Sequence, residues 1–439
     1  MGVTRRRAVL RLVAGAAVAA AGEWSGLRTA RAAARARVVI IGAGFAGASC
    51  ALHLRALDPS IEVETIDPDD IYVTCPMSNA ALVGLRALDT LNVSRDGLER
   101  RGVRVIRDRV VSIDAARRQV RLGKGRPRSY DRLVFAAGIR FLWGRPQGYT
   151  EAAASILPHA WQAGAQTRIL ARQIADLRPG GVIAISVPAG PMRCPPGPFE
   201  RASLIASYLK PRNPRAKVMI LDANNHFPKQ DAFTEAWREL YPGMIEWISV
   251  VDGGAVESVD SAAMTLRTAR GAIRADVINV IAPQAPAQLA VEAGLASDHG
   301  WCPIDPEGFE STLVRGVHVI GDACIADPMP KAASSANAQA KRCARALVAA
   351  LGGRDSLPAP LESVCYSLVA AERALSIHAS FEIERGVLKT AAAQSSDGQP
   401  GPPATADSAP TLAEAENAAA WYAGILADSF GASAPAERL

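Results

Sequence analysis

At 439 residues the chain is long enough for two or three domains, each with an adequate core. Its formal net charge of +6 invites a polyanion partner, yet residues 1–36 hold seven of the 49 basic residues and only one of the 43 acidic ones. The remainder is neutral, which argues against nucleic acid as a ligand.

Arg5-Arg6-Arg7 precede a weakly apolar, Ala-rich segment from Leu12 to Gly22, and Ala30-x-Ala32 and Ala34-x-Ala36 are two candidate cleavage positions. This reads as a twin-arginine signal peptide over residues 1–36, too short and too weakly apolar to span a bilayer. The expected location is the periplasm, with no integral membrane segment, and export permits disulfides among the seven cysteines. No Cys-x-x-Cys-His occurs, so the chain has no covalent haem site of its own, and no His/Cys cluster has metal-ligand spacing.

Val38 to Ile41 is a run of β-branched residues that breaks into Gly42-Ala43-Gly44-Phe45-Ala46-Gly47 and then a helical pattern to Ala56. Gly42 permits the tight turn, Gly44 lets a pyrophosphate approach the backbone, and Gly47 lets the helix pack on the strand. Ile61 to Ile66 reads as the second strand and delivers Asp67 to accept hydrogen bonds from a ribose. Strand, glycines, helix, strand and acid in that order predict a bound dinucleotide.

Val103 to Val111 and Gln119 to Leu122 read as strands of a meander, and Tyr130 to Phe135 as a strand running into Ala136-Ala137-Gly138. In flavoproteins with two dinucleotide-binding domains that ending passes beside the cofactor. A second unit starts at Gly181 to Val187, but a glycine fingerprint is replaced by Pro188-Ala189-Gly190-Pro191-Met192-Arg193-Cys194-Pro195-Pro196-Gly197-Pro198. The prolines remove backbone donors, so this unit is predicted to have lost its nicotinamide site. Lys217 to Asp222 continues the second unit and Ala275 to Ile281 closes it. Val317 to Ala323 then places Asp322 at a strand end, where an acid commonly bonds the ribityl chain of FAD. A helix with Ala336, Ala340 and Ala346 on its packed side follows. Beyond Leu357 come a Cys365-containing segment, a polar tract from Gln394 to Pro410 and a helix from Leu412 to Phe430.

The predicted fold class is α/β: two Rossmann-like, glutathione-reductase-like domains and a C-terminal α+β interface domain. The FAD domain is assigned to residues 37–150 and 285–350, the second Rossmann-like domain to 151–284, and the C-terminal domain to 351–439.

Thr74 to Asn79, Arg193 to Ser203, Gly321 to Lys331, Gly300 to Pro303, Val364 to Ser367 and Trp421 to Gly431 together resemble the flavoprotein subunit of flavocytochrome c sulfide dehydrogenase. The resemblance runs from about Arg37 to Gly431. It implies covalent attachment of FAD through Cys75 and a redox-active disulfide between Cys194 and Cys365. The alternative is a disulfide that only staples the C-terminal region to the core. Glu200 is a candidate general base if burial raises its pKa, or otherwise a solvated carboxylate or a partner of Arg201. Lys331 would stabilise negative charge on reduced flavin, and Trp421 would pack near the ring. Cys324 departs from the small residue expected beside Asp322. Cys50 and Cys343 read as buried thiols, Cys302 has no assignment, and the six histidines read as structural.

The function implied is oxidation of sulfide to sulfur or polysulfide, with electrons passed to haem c on a separate cytochrome subunit. Either sulfur of the pair could receive the attack. The alternatives are a sulfide:quinone oxidoreductase, which needs a membrane-facing surface, and a non-catalytic flavin subunit scaffolding a cytochrome, which needs no cysteine pair.

Overall fold

Val38 to Ile41 are at most 4% exposed in β1 (Ala36–Ile41), so both faces of this strand are covered. Only a parallel sheet with helices on its faces buries a β-branched run in this way. The computed structural model describes residues 36–352, 358–391 and 409–432. The predicted leader, apart from Ala36, and the polar tract, apart from residues 409 and 410, lie outside the described residues. Ala36 itself belongs to β1 and pairs with Ile61, so the leader expected to run to 36 overlaps the strand by one residue.

From β1 the chain passes through the glycines into α1 (Phe45–Leu57) and returns as β2 (Ile61–Ile66), parallel to β1 with Ile41 opposite Ile66. β3 (Arg104–Ile106) pairs beyond β2, and β4 (Arg132–Phe135) pairs on the other side of β1. The strand expected over 103–111 is therefore split between two sheets. β3 joins the main sheet, while Val110–Asp114 opens a separate antiparallel meander with Gln119–Leu122 and Arg128–Ser129. The break is Arg107-Asp108-Arg109, where the Asp108 carboxylate accepts backbone N–H groups of Arg109 (2.7 Å) and Gly125 (2.8 Å). A carboxylate satisfying loop donors in this way offers the backbone an alternative to the ladder.

The second unit comprises β5 (Val182–Val187), α2 (Gly197–Leu209), β6 (Lys217–Asp222), β7 (Ile245–Ile248) and β8 (Val277–Val280). Its four strands are parallel in the order β7-β6-β5-β8, and a further three-stranded meander over 256–274 was not anticipated. The chain then returns to the first sheet as β9 (Cys302–Asp305), β10 (Glu310–Ser311), β11 (Val317–Val319) and β12 (Cys324–Ile325). The complete sheet has eight strands, ordered β12-β9-β10-β11-β4-β1-β2-β3. α3 (Ala333–Gly352) lies against α1, and glycines set how closely the layers approach. A Cβ at Gly47 would lie 1.9 Å from the Gly42 carbonyl oxygen, and one at Gly321 would lie 3.0 Å from the Ala46 methyl.

The region beyond 357 is an antiparallel sheet, β13 (Leu361–Ala370), β14 (Arg373–Glu384) and β15 (Val387–Thr390), followed by α4 (Leu412–Phe430). The sequence placed Cys365 in this region without recognising the strands. The reason lies on the buried side of β13, where Ser363 and Ser367 interrupt the apolar alternation while only 2% and 1% exposed. The sheet joins two of the three hydrophobic cores: Leu361, Phe381 and Leu388 pack into the one around β1 and α1, and Leu368, Val369 and Leu375 into the one around β5 and α2. α4 has its expected limits. The Thr411 hydroxyl accepts the Glu414 N–H (3.2 Å) as N-cap, and Gly431 at φ +64° ends the helix. Phe430, fully buried, meets Phe45 edge-on at 5.1 Å, a burial contributing about 2–3 kcal/mol. Asn337 Nδ2 reaches Ser49 Oγ, Asp428 Oδ2 and Ser429 Oγ at 2.9–3.0 Å, tying α3 to α1 and α4.

Candidate active site

A cavity of roughly 800 Å³ opens where the carboxyl ends of β1, β4 and β5 meet β13 and α4. Clefts at the carboxyl ends of parallel strands are where α/β sheets bind ligands. At one end lie Gly42, Gly44 and Asp67. Gly42 holds φ +92°, and a Cβ there would stand 2.5 Å from the Ala136 carbonyl oxygen, so glycine is required twice over. Gly44 lines the cavity, whereas Gly47 lies beneath it, where it lets α1 pack down on β1. Asp67 Oδ2 accepts the Ala43 N–H at 2.7 Å and pairs with Arg95 Nη2 at 3.4 Å.

Arg95 was not found from the sequence. It is 1% exposed, donates Nη1 to the Ala43 carbonyl, and lies over the Tyr72 ring at 5.4 Å. Its Nε is buried with no hydrogen-bond partner, and the side chain lines the cavity. A buried guanidinium N–H without an acceptor is a costly orphan that an anionic ligand would satisfy. The turn, the acid and this free donor together fit a nucleotide diphosphate such as that of FAD.

Further along, Ala137, Gly138, Asp322, Cys75 and Trp421 line the same cavity. Burial pushes the Asp322 carboxyl above the usual carboxylate range, while nearby Arg193 and Lys331 pull it back. Cys75 Sγ lies 3.9 Å from the Trp161 carbonyl oxygen, and Trp421 faces Tyr366 with ring centroids 5.9 Å apart. Lys331 acts on the site from its edge, through its charge near Asp322. It does not line the cavity: its Nζ donates to the Cys324 carbonyl at 2.8 Å and sits 3.9 Å from the centre of the Trp301 ring. Lys331 also supplies its backbone carbonyl, which accepts the Cys194 N–H at 2.9 Å.

At the far end stand Cys194 from the loop before α2, Glu200 from α2 and Cys365 from β13, the two cysteines 171 residues apart in the chain. Both cysteines are thiols here. Cys194 occupies a left-handed backbone conformation (φ +70°), and its carbonyl accepts the Gly197 N–H at 2.9 Å as the loop turns into α2. Burial first, then neighbouring Cys365 and Glu200, drive the Cys194 thiol well above its ordinary range. Burial also raises Cys365, but hydroxyls of Ser334 and Ser363 counter it, with Ser334 Oγ 3.7 Å from the sulfur.

Glu200 is part-buried on the cavity wall and makes no hydrogen bond to Arg201. Its Oε1 accepts the Leu368 N–H (3.0 Å) and its Oε2 accepts Asn79 Nδ2 (2.7 Å). Burial raises its pKa above the ordinary glutamate value, and these two bonds with the nearby Arg201 charge pull it part of the way back. Arg201, 2% exposed, donates instead to Asn79 Oδ1 (3.0 Å), Asn279 Oδ1 (2.8 Å) and the carbonyls of His159 (3.0 Å) and Ala160 (2.6 Å). It braces the loop that lines the cavity through Ala160 and Trp161. His159, held down to about 3 by burial and the Arg201 and Arg193 charges, stays neutral, and its Nδ1 accepts the Trp161 N–H. Arg193, beside Cys194, also lines the cavity and donates to the Trp161 carbonyl. Arg193, Asn79 and Arg201 all lie in the motif strings, yet only the fold shows which of them meet. Among the described residues no group of three or more His, Cys, Asp or Glu side chains could hold a metal ion.

Three family descriptions match the chain. Residues 36–154 match pyridine nucleotide-disulphide oxidoreductase, 167–282 the central part of the sulfide dehydrogenase [flavocytochrome c] flavoprotein chain, and 358–430 the flavin-binding part of flavocytochrome c sulphide dehydrogenase. A sulfide dehydrogenase [flavocytochrome c] flavoprotein chain from Chlorobaculum thiosulfatiphilum is 59% identical over 44 residues, 10% of this chain and 92% of that sequence. A sulfide-quinone reductase from Aquifex aeolicus is 27% identical over 182 residues, 41% of each chain. Among solved structures, a sulfide:quinone oxidoreductase from Aquifex aeolicus superposes with a TM-score of 0.67 at 18% identity, covering 91% of this chain and 93% of its own. That likeness bears on the fold, which is the two-domain α/β architecture of the pyridine nucleotide-disulfide oxidoreductases. The chain is an oxidoreductase whose flavin-binding parts bind FAD, and it belongs to the flavocytochrome c sulfide dehydrogenase flavoprotein family.

Proposed function

We propose that this chain oxidises sulfide, with Cys194 and Cys365 as a redox-active pair beside FAD, and passes electrons to a c-type cytochrome subunit. The observation that carries this reading is the meeting of Cys75, Cys194, Cys365 and Glu200 on the cavity that Gly42, Gly44 and Asp67 also line. When bound, FAD supplies the acceptor for the electron pair that sulfur oxidation releases.

With the pair in its disulfide form, hydrosulfide attacks one sulfur. The new S–S bond gives a persulfide, the Cys194–Cys365 bond breaks, and the other sulfur departs as a thiolate. The better leaving group is the sulfur whose thiolate is better held. Cys365 has the hydroxyls of Ser334 and Ser363 to hold its thiolate, while the Glu200 carboxylate bears on both sulfurs and the Arg193 charge on Cys194. On the strength of those hydroxyls the attack is assigned to Cys194, and Glu200 takes up the proton of the resulting persulfide. Cys75 Sγ is the attachment point for the flavin. Gly42, Gly44 and the Arg95 guanidinium receive the diphosphate, Asp67 receives the adenosine ribose, and Asp322 meets the ribityl chain.

The second crevice supports this choice of acceptor. At the turn after β5 the Gly190 N–H donates to Asn224 Oδ1 (3.2 Å), and Asp222 accepts Trp247 Nε1 (3.0 Å), so groups that would meet a nicotinamide nucleotide are used internally. No described helix is long and apolar enough to cross a membrane. The first feature disfavours a nicotinamide acceptor, and this reading takes a cytochrome as the acceptor, with function in the periplasm after export.

Cys194→Ser and Cys365→Ser should each retain FAD and accept electrons from dithionite, yet lose reduction by sulfide by about 10³-fold, with the double variant no worse than either. Near-wild-type bleaching by sulfide in both single variants would leave the pair as a staple and remove this mechanism. Flavin should remain on the polypeptide after acid precipitation and be released from Cys75→Ala. A protein with Cys-x-x-Cys-His should co-purify. Strong quinone reduction by the isolated chain would instead favour a quinone acceptor.

A further inference from the structure

Outside the cavity, two cysteines that the mechanism does not use meet at the edge of the main sheet. Cys302 opens β9 and Cys324 opens β12, and they are opposite partners in a parallel register. Register partners on neighbouring strands lie about 4.8 Å apart and point to the same face, inside the separation a disulfide spans. Neither lines the large cavity, and they are 0% and 2% exposed.

The local ladder is weak. β12 is a two-residue edge strand, and the second residue of its partner pair is Pro303, opposite Ile325, which has no N–H to donate. β12 begins two residues after Asp322, which lines the cavity. Lys331 closes the group: its Nζ donates to the Cys324 carbonyl, and its charge favours thiolate at both sulfurs.

We propose that Cys302 and Cys324 form a second disulfide, independent of Cys194 and Cys365, which pins the edge strand β12 to β9. The oxidant is a disulfide-bearing thiol reagent, protein or low-molecular. One thiolate attacks its S–S bond, releasing one thiol and leaving a mixed disulfide. The second thiolate then attacks that bond, releasing the other thiol, so two electrons and two protons leave the pair. Burial pushes both thiols up to about 12, so exchange proceeds from the transiently opened edge and quickens with rising pH.

The test uses purified holoprotein incubated with oxidised glutathione at mildly alkaline pH, then alkylated under denaturing conditions without reductant. Trypsin cuts at Arg315 between the two cysteines. The expected result is one linked species containing Cys302 and Cys324, lighter by two hydrogens than the separate peptides. Cys302→Ala/Cys324→Ala should lose that species and melt a few degrees lower than the oxidised wild type, with sulfide-driven flavin reduction within twofold of it. Alkylation of both cysteines in the treated wild type would overturn the proposal, as would linkage of either to Cys50 or Cys343. A tenfold or greater loss of flavin reduction in the double variant would overturn the independence of the pair. The linkage readout does not depend on the activity, so its failure is separable from failure of the sulfide mechanism.

Discussion

Two crossovers of the same topology meet the cavity from different domains. Between β1 and α1 stand three residues, Gly42 to Gly44; between β5 and α2 stand nine, Pro188 to Pro196. The short turn brings a helix start straight to the cavity, with room for a diphosphate against bare backbone. The long turn delays the helix and carries Cys194 to the other end of the same cavity. The acid at the end of the second strand persists in both units, yet its work differs. Asp67 faces the cavity and accepts a turn N–H, whereas Asp222 is fully buried and accepts Trp247 Nε1 and Asn224 Nδ2. A βαβ unit is therefore a scaffold whose chemistry is chosen by the turn, and a retained acid reports on binding only when the turn leaves space in front of it.

The largest expected effect separates the two turns by their tolerance of a side chain. Gly42→Ala should prevent accumulation of folded holoprotein, because its Cβ would lie 2.5 Å from the Ala136 carbonyl oxygen at a φ of +92°; the cost should exceed about 3 kcal/mol. Gly190→Ala has open space around its Cβ and should change the melting midpoint by less than about 0.5 kcal/mol equivalent. Equal effects at the two glycines in thermal unfolding would break the comparison.

The next effect lies at the proline-bearing turn. Glu200 has a raised pKa, so it stays protonated at pH values where an ordinary glutamate has ionised, and its base form appears only as pH climbs through that raised value. Stopped-flow reduction by sulfide should show an acid limb above the ordinary carboxylate range. Glu200→Gln should abolish this limb and slow the step by about 10²-fold. Persistence of the limb in the variant would assign it to another group.

A smaller effect compares the two acids. Asp67→Asn should weaken non-covalent FAD retention in a Cys75→Ala background by about tenfold, roughly 1.4 kcal/mol, measured by flavin release on dilution. Asp222→Asn should leave retention unchanged and lower only the melting temperature. The smallest concerns the leaving sulfur: Ser334→Ala should slow sulfide-driven reduction about three- to tenfold by removing one hydroxyl near Cys365, on the scale of a single hydrogen bond. An unchanged rate would mean that the thiolate is held by other groups.

What the sequence alone determined is local. A β-branched run, glycines at fixed spacing and an acid at the following strand end specify a dinucleotide turn, because each residue answers a constraint within about 30 positions of chain. The limits of α4 were legible for the same reason, since the Thr411 cap and Gly431 terminator act on their own helix. The tertiary structure alone decided the rest. The interrupted alternation of β13 hid the strand that carries Cys365, because Ser363 and Ser367 are buried there. Lys331 follows a motif that suggested the flavin, but Cys324 and Trp301 draw its ammonium to the sheet edge. Arg95, 51 residues beyond Gly44, has no local signature. It reaches the nucleotide end because the fold leaves its guanidinium buried between Asp67, the Ala43 carbonyl and Tyr72. Burial and long-range partners set a side chain's charge and direction, and neither is a property of the residues next to it in sequence.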